Sequence, residues 1–146
     1  MELNTKGRYA VMAMADLARE NRGETVSVSL ADIARRQQIS LAYLEQLFAK
    51  LRRAGLVESV RGRSGGYHLA RPAGAIAIHD IMTAVDEPVE MTRCAAEGLS
   101  GCVGHKRCLT HGLWEGLTDH IRQYLSGISL QDVLEGVGRG RREAAE

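Results

Sequence analysis

SLADIARRQQISLAYLEQLFAKLRRAGLVESVRGRSGGYHLA, Ser29 to Ala70, is the stretch whose reading decides the fold. Ser29 precedes a short helical segment, LADIARRQQ, and Ser40 precedes a longer one, LAYLEQLFAKLRRA. A serine in that place accepts a hydrogen bond from a free first-turn amide, so each marks a helix start. In the second helix Leu44, Leu47, Phe48 and Leu51 form one apolar stripe, and Gly55 supplies the stop. Two short helices so close together fit a helix-turn-helix, the second being the candidate recognition helix. Leu56 to Val60 then reads as a strand, Arg61 to Gly66 as a Gly-rich hairpin loop, and Tyr67 to Ala70 as the return strand with Tyr67 and Leu69 on one face. A two-stranded wing directly after a recognition helix completes a winged-helix pattern.

Upstream, Ala10, Val11, Met14, Leu17 and Ala18 recur at helical spacing between Thr5 and Arg19, with Asn4 available as a cap. Downstream, Pro72 and Gly74 punctuate the end of the wing, a small helix is expected over His79 to Val85, and Asp86-Glu87-Pro88 stops it. Residues 92 to 111 have no usable apolar period and read as a loop, which carries all the cysteines. Beyond it Leu113, Leu117, Ile121, Tyr124 and Ile128, widened by Trp114 and Leu125, predict one long amphipathic helix. Its stripe can serve the domain's own core or a second copy of the chain. The expected fold is mainly α with a small β-wing: a winged helix-turn-helix domain over 1–72, a connecting segment with a short helix over 73–91, a ligand-bearing loop over 92–111, a dimerisation helix region over 112–135 and a flexible tail over 136–146, where Arg139, Arg141 and Arg142 lie.

The chain has 146 residues, 45% of them hydrophobic, enough for one domain or a small domain plus an oligomerisation element, and too few for a large multidomain enzyme. No apolar run approaches the roughly 20 residues needed to cross a bilayer. The opening Met1-Glu2-Leu3-Asn4 has no basic region leading into an apolar one, so a cytoplasmic location is expected, with no membrane partner. The formal net charge of +1 conceals two unlike halves: residues 1–72 hold 12 basic and 7 acidic side chains, residues 73–146 hold 7 and 11. A basic first half suggests a polyanion-binding module. Lys6 and Arg8 near the start of the first helix, Lys50, Arg52 and Arg53 at the end of the third, and Arg61 and Arg63 in the wing are placed to neutralise the phosphates of double-stranded DNA. At the start of the recognition helix Ser40, Ala42, Tyr43, Glu45 and Gln46 can face a major groove, where Gln46 suits adenine and Glu45 suits cytosine N4. Glu45 has no helical partner, because position 49 is Ala. Gly65 and Gly66 serve either the turn alone or a close approach to DNA.

Cys94-x7-Cys102-x5-Cys108-x2-His111 puts three thiols and an imidazole within one loop. An odd cysteine count makes a complete disulfide framework the poorer reading. The donor set suits a closed zinc site or an iron-sulfur cluster, and the wide first two gaps lean toward the cluster. His105 is an alternative ligand or a solvated loop residue, and His68, His79 and His120 read as surface or core residues. Nothing resembles a catalytic triad, a phosphate loop or a paired-carboxylate site, so an enzyme is not expected.

LNTKGRYAV at Leu3 to Val11, ISLAYLEQLFAKLRRAGLVESVRGRSGGYHL at Ile39 to Leu69, and RCLTHGLW at Arg107 to Trp114 resemble the IscR family of bacterial iron-sulfur cluster regulators, over roughly residues 1–135. The resemblance implies a winged-helix homodimer that controls transcription of iron-sulfur assembly genes and binds a 2Fe-2S cluster through Cys94, Cys102, Cys108 and His111. It further implies base reading by Ser40, Tyr43, Glu45 and Gln46, with Arg61 from the wing. Two positions depart from the family pattern. The first gap between cysteines is longer than usual, resembling relatives that sense iron through other clusters, and Ala42 stands where a serine is usual. Beside the cluster-sensing reading stand an iron-responsive or zinc-stabilised repressor and an iron-sulfur carrier, though a carrier needs neither the wing arginines nor the recognition-helix residues.

Overall fold

The computed structural model describes residues 3–21, 26–90, 92, 102, 104 and 106–137. Cys94, His105 and the tail arginines lie outside the described residues. The order is α1 (Thr5–Glu20), α2 (Leu30–Gln37), α3 (Leu41–Arg53), β1 (Val57–Val60), β2 (Gly66–Leu69), a 3-10 turn (Ala73–Ala75), α4 (Ile78–Ala84), α5 (His111–Ser126) and α6 (Leu130–Leu134). It is a mostly helical fold with a two-stranded antiparallel wing.

Both predicted serine caps form: Ser29 Oγ accepts from the Asp32 amide at 3.2 Å, and Ser40 Oγ from the Tyr43 amide at 3.4 Å. Asn4 sits at the start of α1, but its side chain makes no capping bond. α3 ends on Gly55 at φ +75, where the Leu56 amide bonds the Leu51 carbonyl and the Gly55 amide bonds the Arg52 carbonyl. That pairing needs a left-handed residue, which glycine adopts without strain. The α3 stripe is fully used, with Leu44, Phe48 and Leu51 at 0% exposure beside Met14 and Leu17 of α1 and Ile33 of α2.

α1 is the central element, packing on α2, α3, α4 and α6. One polar group is buried with it. Asp16, its side chain at 0% exposure, accepts from Arg36 Nε at 3.1 Å, from Arg36 Nη2 at 2.6 Å and from Gln37 Nε2 at 2.7 Å, bracing α2 against α1. Burial alone pushes the Asp16 carboxyl up, but the hydrogen bonds from Arg36 and Gln37 and the charges of Arg36 and Arg19 outweigh it and hold the carboxyl below its ordinary value.

In the wing Val57 faces Leu69 and Ser59 faces Tyr67, and the Tyr67 ring meets Phe48 edge-on at 5.0 Å. Val28 adds a third line of pairing, exchanging both backbone hydrogen bonds with Tyr67. A Cβ on Gly66 would fall 2.5 Å from the Val28 carbonyl carbon, and one on Gly65 2.7 Å from the carbonyl oxygens of Gly62 and Val60. Both glycines are therefore required by the wing's own backbone.

The predicted long helix is broken. α5 ends at Ser126, Gly127 turns the chain, and Ile128 to Leu130 run beside Ile76 to Ile78 before α6 begins. Ser129 restarts the helix through a capping box: its Oγ accepts from the Asp132 amide at 3.0 Å, and Asp132 accepts from the Ser129 amide at 2.8 Å. The reversal puts Leu130 in the core at 0% exposure. Ile121, Leu125 and Ile128 pack against that core, whereas Leu113 and Tyr124 stand 61% and 54% exposed.

Candidate nucleic-acid interface and metal-ligating segment

With 3.6 residues per turn, Ala42, Gln46, Ala49 and Arg53 form one row on α3 opposite its buried stripe, and all four are exposed. Glu45 lies exposed beside that row, one turn after Leu41. The Ser40 hydroxyl is engaged as the helix cap. Tyr43 is half-buried, its ring edge-on to Tyr9 of α1 at 6.1 Å, while the Arg8 guanidinium lies 6.0 Å from the Tyr9 ring centre. Tyr43 thereby locks the start of α3 to the start of α1, where Lys6 is half-buried and Arg8 exposed. Arg61 and Arg63 project at the wing tip, both exposed. On the outer face of the wing His68 pairs with Glu58 across the strands at 2.8 Å, so that histidine has a surface partner.

Sequence reasoning passed over Leu41, exposed at 42%, and Ala49, which helical geometry places in the outward row. Lys50, expected to neutralise phosphate, instead bonds Asp86 Oδ2 through its Nζ at 2.7 Å and ties the end of α3 to the segment leaving α4. Lys50 holds the exposed Asp86 carboxyl below its ordinary value. Next to it, the Glu87 side chain covers Gly7 of α1 so closely that a Cβ there would meet Glu87 Cγ at 2.9 Å.

Of the four expected ligands, Cys102, Cys108 and His111 are described. Among the described residues no three His, Cys, Asp or Glu side chains come together as a metal site. Their individual states nevertheless fit ligation. His111, the first residue of α5, is 8% exposed, and among the described residues neither ring nitrogen has a hydrogen-bond partner. Glu115 Oε2 stands 3.7 Å from Nε2, beyond hydrogen-bond reach. A buried polar group without a partner costs about 1–3 kcal/mol, so the ring is placed for something other than apo stability. Cys108 is exposed, and its Sγ lies 3.2 Å from Thr110 Oγ1. That hydrogen bond, helped by nearby backbone amides, pulls the thiol below its ordinary value, toward the thiolate that metals bind. Cys102 is partly exposed.

The family described as Rrf2, iron-dependent transcriptional regulator, matches residues 3–136. The chain belongs to the Rrf2 family. This Rrf2 protein is 52% identical over 145 residues to the HTH-type transcriptional regulator IscR of Enterobacter sp. (strain 638), covering 95% of the chain and 86% of that protein. Among solved structures it is similar to T. potens IscR, at 41% identity and a TM-score of 0.73, over 92% of this chain and 87% of that one. It is also similar to CymR, the global cysteine regulator of B. subtilis, at 32% identity and a TM-score of 0.77, over 92% and 97%. The resemblance to IscR is borne out, and with it a DNA-binding transcription regulator on a winged-helix fold. Its relatives are regulators rather than enzymes, and the family is iron-dependent. Among the described residues no helix is long and apolar enough to cross a membrane.

Proposed function

We propose that this Rrf2 protein is a cytoplasmic homodimer that binds a 2Fe-2S cluster through Cys94, Cys102, Cys108 and His111 and represses iron-sulfur assembly genes when clusters are plentiful. Lys6, Arg8, Arg61 and Arg63 contact operator phosphates or the minor groove, and Ser40, Ala42, Tyr43, Glu45 and Gln46 form the reading head. The observation that carries the cluster reading is His111, a buried imidazole with two unpartnered nitrogens beside a cysteine inclined to the thiolate. A bound cluster would supply an iron- and redox-responsive tether for the loop over 92–111. The chain's own residues relay the state of that loop: Asp86 is held by Lys50 of α3, and Glu87 rests on Gly7 of α1, just before the loop begins. Ordering of the loop is thus coupled to the two helices that carry the DNA contacts. The exposed Leu113 and Tyr124 of α5 are the apolar side chains a second copy would cover.

An anaerobic ultraviolet-visible spectrum with iron and sulfide counts tests the cluster. Two iron and two sulfide per chain are expected, and a colourless protein holding one zinc would defeat the reading in favour of a zinc-stabilised repressor. DNA-shift assays with and without the cluster test the sensor. Equal affinities in both forms, on every duplex bound, would defeat it.

A further inference from the structure

We infer that Leu41 and Ala42, in the first turn of α3, read thymine through its 5-methyl group, so that the operator positions they meet are T·A pairs. This rests on the reading that α3 enters the major groove. α3 carries more apolar side chains than its core face uses. Leu44, Leu47, Phe48 and Leu51 are buried, but Leu41 is 42% exposed and is not among the side chains packed on the core. Ala42 is exposed in the outward row. Both follow directly on the Ser40 cap, in the turn that a recognition helix presents to base edges. One turn later on the same sides stand Glu45 and Gln46, exposed and able to hydrogen-bond bases. The reading surface is therefore two apolar side chains followed by two polar ones. The thymine methyl is the apolar feature of the major-groove edge, so it is the group an exposed leucine and alanine select there. A serine at position 42 would offer a hydroxyl in place of a purely apolar contact.

The test begins by selecting duplexes from a random library with the wild-type protein. Each thymine of the selected site is then replaced singly by deoxyuridine, which removes only the methyl, and binding is measured by fluorescence anisotropy at one fixed salt concentration. A methyl leaving an apolar contact should weaken binding about fourfold at the positions concerned. Leu41→Ala or Ala42→Gly should abolish the distinction between thymine and deoxyuridine at one position each, and Leu41→Met should retain it, with circular dichroism confirming the fold. The inference is overturned if no position senses the methyl, or if Leu41→Ala and Ala42→Gly weaken thymine and deoxyuridine duplexes alike. Failure to select any sequence would instead refute base reading by α3 as a whole.

Discussion

Asp16→Asn should destabilise the protein far more than a change of two atoms suggests. The Asp16 carboxylate is wholly buried and its two oxygens receive only donors: Arg36 on both oxygens, Gln37 on Oδ2, with Arg19 ion-paired to Oδ2 at 3.5 Å. An amide of the same shape must aim its NH2 group at one of them, which loses at least one charge-assisted bond and leaves Arg36 without its counter-charge. Bonds to charged groups contribute about 1.5–3 kcal/mol each, and orphaning a buried partner costs about 3–5 kcal/mol. Arg36 keeps 28% of its side-chain exposure, so water recovers part of that loss. The expected cost is about 2–4 kcal/mol, which in a chain of this size lowers Tm by roughly 5–15 °C. Circular-dichroism melts of Asp16→Asn, Arg36→Met and the double variant should give a coupling above about 1 kcal/mol. The contribution also has a definite pH sign. Because the native carboxyl is held below its unfolded value of about 3.9, the stabilisation is complete above that value and is lost as pH falls through the native one. The acid limb of the stability curve should therefore flatten in the variant. A loss below about 0.5 kcal/mol, or an unchanged acid limb, would refute the reasoning.

Gly66→Ala should destabilise the wing by about 1–3 kcal/mol, because its Cβ would enter the Val28 backbone, and hydrogen exchange should rise at the amides of Val28 and Tyr67. Unchanged exchange there would count against the close approach. Arg61→Ala with Arg63→Ala should lower the slope of log affinity against log salt by up to about 2 on any duplex. His111→Leu should leave apoprotein stability equal or about 1 kcal/mol higher, since it removes two unpartnered nitrogens, while iron incorporation is lost. Marked destabilisation with iron retained would make the ring structural. Leu113→Asp with Tyr124→Asp should convert a dimer to monomer in analytical ultracentrifugation without lowering Tm of the monomer, as both side chains are exposed. A dimer that persists would place the interface elsewhere.

The helix-turn-helix and wing were legible because their signals are local: Ser29 and Ser40 at the caps, Gly55 at the stop, and a stripe from Leu44 to Leu51 whose period matches the helix. The Val28 pairing was not, since one residue of strand has no pattern and depends on Gly66 admitting it. The break at Gly127 was overrun because the apolar period from Leu113 continues to Ile128. The competing signal, Ser129 with Asp132 three residues on, stands in the sequence as a helix start. Asp16 was readable only as an oddity, an acid among Ala10, Ala13, Met14 and Leu17 on the buried face of α1, because its partners come from another helix. Spacing singled out four proposed metal donors, but whether they converge is a property of the whole loop.

The two halves of opposite charge share one core, and the segment leaving α4 bears on how a ligand in one half could change the other. α4 ends at Ala84, and Asp86 adopts φ +55, a conformation uncommon for a residue with a side chain. The turn it makes sends its carboxylate to Lys50 and places Glu87 on Gly7, so two consecutive positions leaving α4 touch α3 and α1. As an exposed ion pair, screened by solvent, the Lys50 contact contributes little to stability. The Gly7 contact differs in kind: it is steric, a Cβ there would meet Glu87 Cγ at 2.9 Å, and packing of this kind does not depend on salt concentration. On the proposed function, a ligand held by residues 92 to 111 would act on α3 through charge and on α1 through packing, and only the first of these routes should weaken as salt is raised.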